Sequence, residues 1–295
     1  MRVIVAGGSG FLGQALVRSL AAAGHDVSVL TRRARGRDDI AWTPNGSTGP
    51  WARALVGVDA VVNLAGEGIA DQRWTPARKQ ALVRSRLDAT SSLVEAVLHL
   101  PKPPRVFLSG SGVGIYGPRG DEYVTEATSA GGDFVASMAT QWEQAAAPVA
   151  SRCPLVLLRT SMVLGRGGGA LARMLLPFKL GVGGRLGSGR QWMPWIHLDD
   201  WVTLTVRLLN DPAATGPFNV TAPAPVRNDE FTKALGRVLR RPTVLPVPAL
   251  ALKIAFGELS DVLLTGQRAM PAKADALGFR FRYPRIDEAL AAAVS

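Results

Sequence analysis

A chain of 295 residues with 47% apolar and 19% charged residues can bury a large core, which excludes a disordered tail, and its single cysteine, Cys153, excludes an internal disulfide framework. The formal net charge of +11 admits nucleic acid, a membrane surface or an acidic small molecule as partner, but the basic residues are scattered singly and no apolar run is long enough to span a bilayer. Nucleic acid and membrane are therefore set aside, and with a first strand starting at residue 2 and no disulfide the expected setting is cytoplasmic.

The chain opens on the apolar run Arg2-Val3-Ile4-Val5-Ala6, turns through Gly7-Gly8-Ser9-Gly10-Phe11-Leu12-Gly13, and resumes with Ala15, Leu16, Val17 and Leu20 at helical spacing. With 32 glycines in the chain the spacing alone is weak, but strand before and helix after make it a dinucleotide cradle. Gly7 turns the chain off the strand, Gly10 lets backbone N–H groups approach a pyrophosphate, and Gly13 lets helix and strand pack closely. Gly24 reads as the helix stop, and His25 to Thr31 alternates into a second strand. An acid there, about 20 residues past the glycines, would hold a ribose 2′-hydroxyl. This strand ends instead in Thr31-Arg32-Arg33, and arginine suits a 2′-phosphate, so NADP is expected over NAD. A solvated loop is the plain alternative for these arginines.

Asp38 to Trp51, with Pro44, Asn45-Gly46 and Gly49-Pro50, predicts turns and an edge rather than core. Val58 to Gly66 is an apolar strand ending in small residues that let a ligand lie on the backbone. Glu67 and Arg73 follow in a loop, placed either to touch the cofactor or to pair with each other. Thr75-Pro76 starts a long helix that ends at Pro101 to Pro104, and Arg105 to Leu108 delivers Ser109-Gly110-Ser111 and Tyr116-Gly117. Further on, Trp142 reads as core, Glu143 as exposed or paired, and Leu155 to Arg159 as a buried strand. Gly167-Gly168-Gly169 opens a helix through Leu176, and Gly181 to Gly189, with Arg185 and Arg190, is a glycine-dense loop suited to covering an acidic ligand, a hairpin and linker with solvated arginines being the plain alternative. Gly216 to Val220 makes a last short strand before the boundary Ala222-Pro223-Ala224-Pro225. An amphipathic helix from Glu230 to Leu239 follows, then an apolar one from Leu250 to Phe256 expected against the cleft rather than on a membrane. The pattern predicts an α/β fold, a Rossmann-type doubly wound parallel sheet over residues 1–221 with a smaller C-terminal lobe over 222–295.

The glycine fingerprint, then Asp59 with Asn63-Leu64-Ala65-Gly66, then a serine-bearing strand end with Tyr116-Gly117, resembles the extended short-chain dehydrogenase/reductase superfamily of sugar-nucleotide epimerases and dehydratases. Further pieces narrow the likeness: Gly66-Glu67, Arg73-Trp74, Gly132-Asp133-Phe134, Trp142-Glu143, Arg159 to Gly165, Trp195 to Asp200, and Gly278-Phe279 through Pro284. Over nearly its whole length the chain is similar to the atypical epimerase family proteins, a branch labelled cell-division-inhibitor-like nucleotide-sugar epimerases. The resemblance implies a small-molecule substrate, acidic or a nucleotide sugar, and no metal. It implies cofactor contacts from Gly7, Gly10, Phe11, Leu12, Gly13, Thr31, Arg32, Leu64, Ala65, Gly66, Glu67, Arg73 and Ser109, with backbone groups of Val163 at the nicotinamide carboxamide. Ser111 matches the residue that hydrogen-bonds the substrate oxygen and is the candidate for polarising a carbonyl, with Tyr116 as a replacement proton donor. His197, beside Asp199 and Asp200, is placed at a strand-to-helix junction where one of the two acids caps the helix. Monomer and homodimer are both left open.

The chain departs from that superfamily at its proton-transfer pair. Relatives carry Tyr-x-x-x-Lys one helical turn apart, the lysine and nicotinamide ribose lowering the phenol pKa. The matching place here reads Phe134-Val135-Ala136-Ser137-Met138, and none of the three tyrosines is followed four residues later by lysine. Two functions stay open: an NADP-dependent oxidoreductase or epimerase-like enzyme, and an NADP-binding regulatory or partner-binding protein.

Overall fold

Val3, Ile4, Val5 and Ala6 are all buried, Val3 and Val5 in one core and Ile4 and Ala6 in another, the two-sided burial of a central parallel strand. The computed structural model describes residues 1–295. That first strand, β1 (Arg2–Ala6), leads through α1 (Phe11–Ala22), β2 (Asp26–Thr31), β3 (Asp39–Ala41), β4 (Ala60–Asn63), α2 (Pro76–Leu98), β5 (Val106–Gly112), β6 (Tyr123–Val124), α3 (Phe134–Ala146) and β7 (Leu155–Thr160). It continues through β8 (Met162–Leu164), α4 (Gly169–Lys179), β9 (Trp192–Met193), β10 (Trp195–His197), α5 (Leu198–Asn210) and β11 (Gly216–Val220). The remainder is β12 (Val226–Arg227), α6 (Asn228–Leu239), α7 (Ala249–Phe256), α8 (Leu259–Leu264), β13 (Arg268–Ala269), α9 (Ala272–Ala276) and α10 (Ile286–Val294).

Seven strands form one sheet in the order β11-β7-β5-β4-β1-β2-β3, every neighbouring pair parallel. The chain steps outward from β1 to β3, then returns to β4 and steps outward the other way, so the winding reverses between β1 and β4. On one face α1 packs against α5, with Leu16, Leu20, Trp201 and Leu204 over Val3, Val5 and Leu158; on the other α2 packs against α3, with Leu93 and Val97 over Ile4, Val61 and Phe107. This is the doubly wound Rossmann-type architecture. A third cluster joins Leu171 and Phe178 of α4 and Trp195 of β10 to Phe231 and Leu235 of α6 and Leu290 of α10, forming the smaller lobe, while Phe279 and Phe281 return to the first core. No helix is long and apolar enough to cross a membrane.

Three local expectations need correction. The segment from Asp38 to Trp51 does supply the sheet edge, β3, but Trp42 and Trp51 are buried at 5% and 7% exposure and stack edge to face, ring centroids 5.3 Å apart. Aromatic area outweighs the turn residues around it. The strand read over Val58 to Gly66 is regular only at Ala60–Asn63, leaving Leu64 to Gly66 as loop. Helix α7 buries only Leu252; Leu250 and Ile254 stay 69% and 68% exposed.

Candidate functional site

Parallel strands end on the same rim of their sheet, so β1, β2, β4 and β5 bring Gly7 to Gly13, Thr31-Arg32, Leu64 to Glu67 and Ser109 to Ser111 together beside the switch point. At Gly7 the backbone takes φ +79°, and a Cβ would lie 2.7 Å from the Leu64 carbonyl carbon; at Gly13 a Cβ would lie 2.2 Å from the Gly7 oxygen. Only glycine fits either place. Helix α1 starts at Phe11 behind an extended Gly10 with no side-chain cap, which leaves its first-turn N–H groups free for an anion. The Phe11 ring lies on Gly168, where a Cβ would come within 2.4 Å of it, tying this helix start to the beginning of α4. Cradle and uncapped helix together fit a dinucleotide pyrophosphate.

At the end of β2 the Thr31 hydroxyl accepts from the Arg33 N–H at 3.3 Å, and Arg32 is exposed. Of the two acids that follow, Asp38 is exposed, and Asp39 is turned onto the N–H groups of Gly36 and Arg35, each at 2.8 Å, which hold its carboxyl below the usual range. Leu64 and Ala65 are half-buried and Gly66 is exposed. Glu67 and Arg73 do not pair with each other. Glu67 is ion-paired to Arg78, and its carbonyl accepts from Arg86 at 3.0 Å; Arg73 donates to the Ile254 carbonyl of α7 at 3.1 Å. Burial, with the Arg78 charge beside it, pushes the Arg86 guanidinium down to about 10 against the pull of Glu67. Val163 is 8% exposed and paired through β8 with Ile196, its side chain in the first core.

Asp133 caps α3, its carboxylate accepting from the Ala136 N–H at 2.7 Å. The next residue, Phe134, meets Trp74 edge to face at 5.1 Å, and Met138 is buried with Trp74, Leu82 and Leu259. The place of the missing proton-transfer pair is thus filled by apolar side chains, with the Lys79 ammonium, ion-paired to Glu258, 4.8 Å over the Phe134 ring. Polar chemistry sits further along the same helix. The Ser111 hydroxyl donates to Glu143 Oε1 at 2.6 Å, and Arg159 grips both carboxylate oxygens, Nε to Oε1 at 2.8 Å and Nη2 to Oε2 at 2.9 Å. Arg159 Nη1 also donates to the Tyr116 hydroxyl at 3.0 Å, which in turn donates to Asn219 Oδ1 at 2.6 Å. Burial alone would lower the Arg159 pKa, but the hydrogen bond and charge of Glu143 hold it above its ordinary value.

Tyr116 has no exposed surface, and burial pushes its phenol pKa up. Its proton is committed to Asn219, so the geometry gives it none to pass to a ligand; it props Arg159. Ser109 is fully buried, its hydroxyl no closer than 3.5 Å to the Gly110 carbonyl. His197 stands at the expected strand-to-helix junction, but the cap is His197 itself rather than Asp199 or Asp200: its Nδ1 accepts from the Asp199 N–H at 3.1 Å. Asp200 instead accepts from the N–H groups of Arg282 and Tyr283 at 2.7 and 2.9 Å. The Glu143–Arg159 pair and Asn219 escaped the sequence reading as site residues, although an arginine closing the apolar run Leu155 to Leu158 signals a buried carboxylate partner.

Residues 3–221 match the NAD dependent epimerase/dehydratase family, and residues 247–293 match a domain of unknown function, DUF1731. Epimerase family protein Mb2239 of Mycobacterium bovis is 44% identical over 292 residues, covering 98% of this chain and 96% of that protein. Human epimerase family protein SDR39U1 is 37% identical over 294 residues, covering 98% of each. The crystal structure of human epimerase family protein SDR39U1 (isoform 2) with NADPH matches with a TM-score of 0.93 at 36% identity over 99% of both chains. UDP-glucuronic acid 4-epimerase from Bacillus cereus in complex with NAD shares the fold, with a TM-score of 0.79 at 16% identity over 99% of this chain and 95% of that one. With its glycine cradle, its sheet order and its C-terminal segment all matched, the chain belongs to the epimerase family proteins of the NAD dependent epimerase/dehydratase family.

Proposed function

We propose that this chain is an NADP-dependent oxidoreductase that moves hydride between the nicotinamide and a small alcohol or carbonyl compound whose oxygen sits at Ser111. The observation that carries this reading is the cradle: glycines that admit no side chain, an uncapped helix start, and a β2 end that runs into Thr31-Arg32-Arg33 with no acid before Asp38. The human relative crystallised with NADPH supports it. In this reading the N–H groups of Phe11 to Gly13 hold the pyrophosphate, that of Gly10 being committed to the Gly7 carbonyl at 3.0 Å; Thr31 and Arg32 hold the 2′-phosphate, Leu64 to Gly66 lie against the adenosine, and the Val163 backbone meets the carboxamide. Glu67 and Arg73 act through the loop they fasten, to Arg78 and to α7. Bound NADPH supplies the hydride; Ser111 positions the substrate oxygen. Residues 1–221 carry the cofactor, and the lobe from 222 to 295 covers an acidic or nucleotide-sugar substrate.

One observation favours a second reading. Phe134 and Met138 fill the proton-transfer place with apolar surface, as in a protein that binds NADP to report redox state or recruit a partner. A fluorescence titration with NADPH and NADH, followed by turnover of bound NADPH against carbonyl compounds and nucleotide sugars, separates the two. Tight NADPH binding with turnover lost in Ser111→Ala establishes the enzyme; equally tight binding with no turnover across the panel establishes the regulator.

A further inference from the structure

A guanidinium has only donors and a carboxylate only acceptors, so Arg159 and Glu143 fix which way every proton near Ser111 points. Arg159 must donate to Glu143 and to the Tyr116 oxygen. Tyr116 must then send its own proton to Asn219 Oδ1, consistent with Asn219 Nδ2 donating to the Met270 carbonyl at 2.9 Å. Ser111 has one proton, and at 2.6 Å it goes to Glu143 Oε1. What Ser111 has left is two lone pairs. Phe134 and Met138 offer no polar hydrogen, and the one from Tyr116 is turned away.

We propose that the Ser111 subsite is a hydrogen-bond acceptor: it recognises a hydroxyl of the substrate and discriminates against a carbonyl at the same place. The proposal deepens the functional reading and rests on its claim that Ser111 touches the substrate. It reverses the polarity inferred from sequence, where Ser111 was to polarise a carbonyl. To donate outward, Ser111 would have to break its charge-assisted bond to Glu143, and a carbonyl facing the serine lone pairs gains nothing. Glu143 is the positioning residue, held in turn by Arg159. The substrate class that fits is an alcohol, such as a sugar hydroxyl.

Matched probes test this. Cyclohexanol and cyclohexanone share a six-carbon ring, and of their oxygens only the alcohol's donates; their affinities can be read by ligand-observed saturation-transfer NMR on the full chain saturated with a tetrahydro-NADP analogue that cannot deliver hydride. The wild type is expected to bind the alcohol roughly tenfold more tightly. The double variant of Glu143→Met with Arg159→Met, which removes the acceptor together with its buried partner and frees the serine proton, is expected to level or invert that ratio, and Ser111→Ala to bind both probes alike. Equal or ketone-favouring affinities in the wild type, or an unchanged ratio in the folded double variant, overturn the polarity even where Ser111→Ala confirms that the serine touches the probe. Affinities unmoved by Ser111→Ala remove the Ser111 contact itself, and the polarity with it, as does failure of both probes to bind. Because the double variant also takes the Arg159 donor from Tyr116, neutron diffraction from the wild-type protein provides a check free of variants: a deuteron on Ser111 Oγ pointing to Glu143 is expected, and one pointing away from Glu143 overturns the proposal.

Discussion

Arg159 is 8% exposed on a central strand and is neutralised by one carboxylate whose side chain is 12% exposed. Removing one partner of such a pair leaves a buried charge without compensation, which costs more than removing both. Arg159→Met is therefore expected to lose about 3–5 kcal/mol of stability in urea unfolding, and the double variant with Glu143→Met to recover most of it. A single-variant loss below about 1 kcal/mol would mean that water already reaches the pair. Arg32 is the opposite case, an exposed arginine whose proposed value lies in a ligand: Arg32→Asp is expected to shift preference from NADPH towards NADH by tenfold or more at unchanged stability, since a charge-assisted phosphate contact is worth roughly 1.5–3 kcal/mol. Titrations that leave the preference intact would make Arg32 a solvated loop residue. These two arginines also mark what could be read from the chain. The exposure of Arg32 at a strand end is a local feature that the chain shows directly; the partner of Arg159 is not, because Glu143 lies 16 residues away on a helix whose inner face is defined only once α3 docks.

Helix α5 is an element held by a titratable cap. His197 is 5% exposed, and burial depresses its pKa against the raising effect of Asp199 and Asp200. A base whose folded pKa is depressed contributes stability above its unfolded value that is lost as pH falls through the folded one. The window therefore opens below about pH 6.5, and stability is expected to fall there by up to about 1.4 kcal/mol per pH unit. His197→Asn, whose side-chain oxygen can accept from the Asp199 N–H without gaining a proton, is expected to flatten that slope between about pH 6.5 and 5.5. Parallel slopes for the two proteins would assign the acid sensitivity elsewhere. Elements differed in how well sequence exposed them. The unbroken apolar run that marks β1 was legible because both faces of the sheet are covered there. The apolar run of α7 misleads because composition does not say which face is packed: Leu252 is, while Leu250 and Ile254 are not, and the helix is fastened by its Ile254 carbonyl to Arg73. Trp42 and Trp51 were hidden by the turn residues between them, although they pack against each other in the second core.

At the scale of the whole molecule, the question is whether lobe and sheet form one cooperative unit. The segment after β4 is gripped from the lobe side at several points: Arg73 to the Ile254 carbonyl, Lys79 to Glu258, and Arg173 of α4 to the Ala70 carbonyl and, at 2.5 Å, to Asp71. These exposed pairs add little energy singly. The stronger coupling is apolar, since Phe279 and Phe281 from the tail pack on the first core and α9 packs on β11. Sheet and lobe therefore share buried surface, and melting one exposes the other. A ligand that binds only the folded cradle stabilises everything linked to it: NADPH at 100 times its Kd is worth about 2.7 kcal/mol, a rise of roughly 5 °C in Tm for a chain of this size. Calorimetry is expected to show a single transition that moves by that amount as NADPH is added. Two transitions, of which only one moves, would mean that the lobe melts on its own and that its contacts with the loop after β4 are too weak to couple it to the bound cofactor.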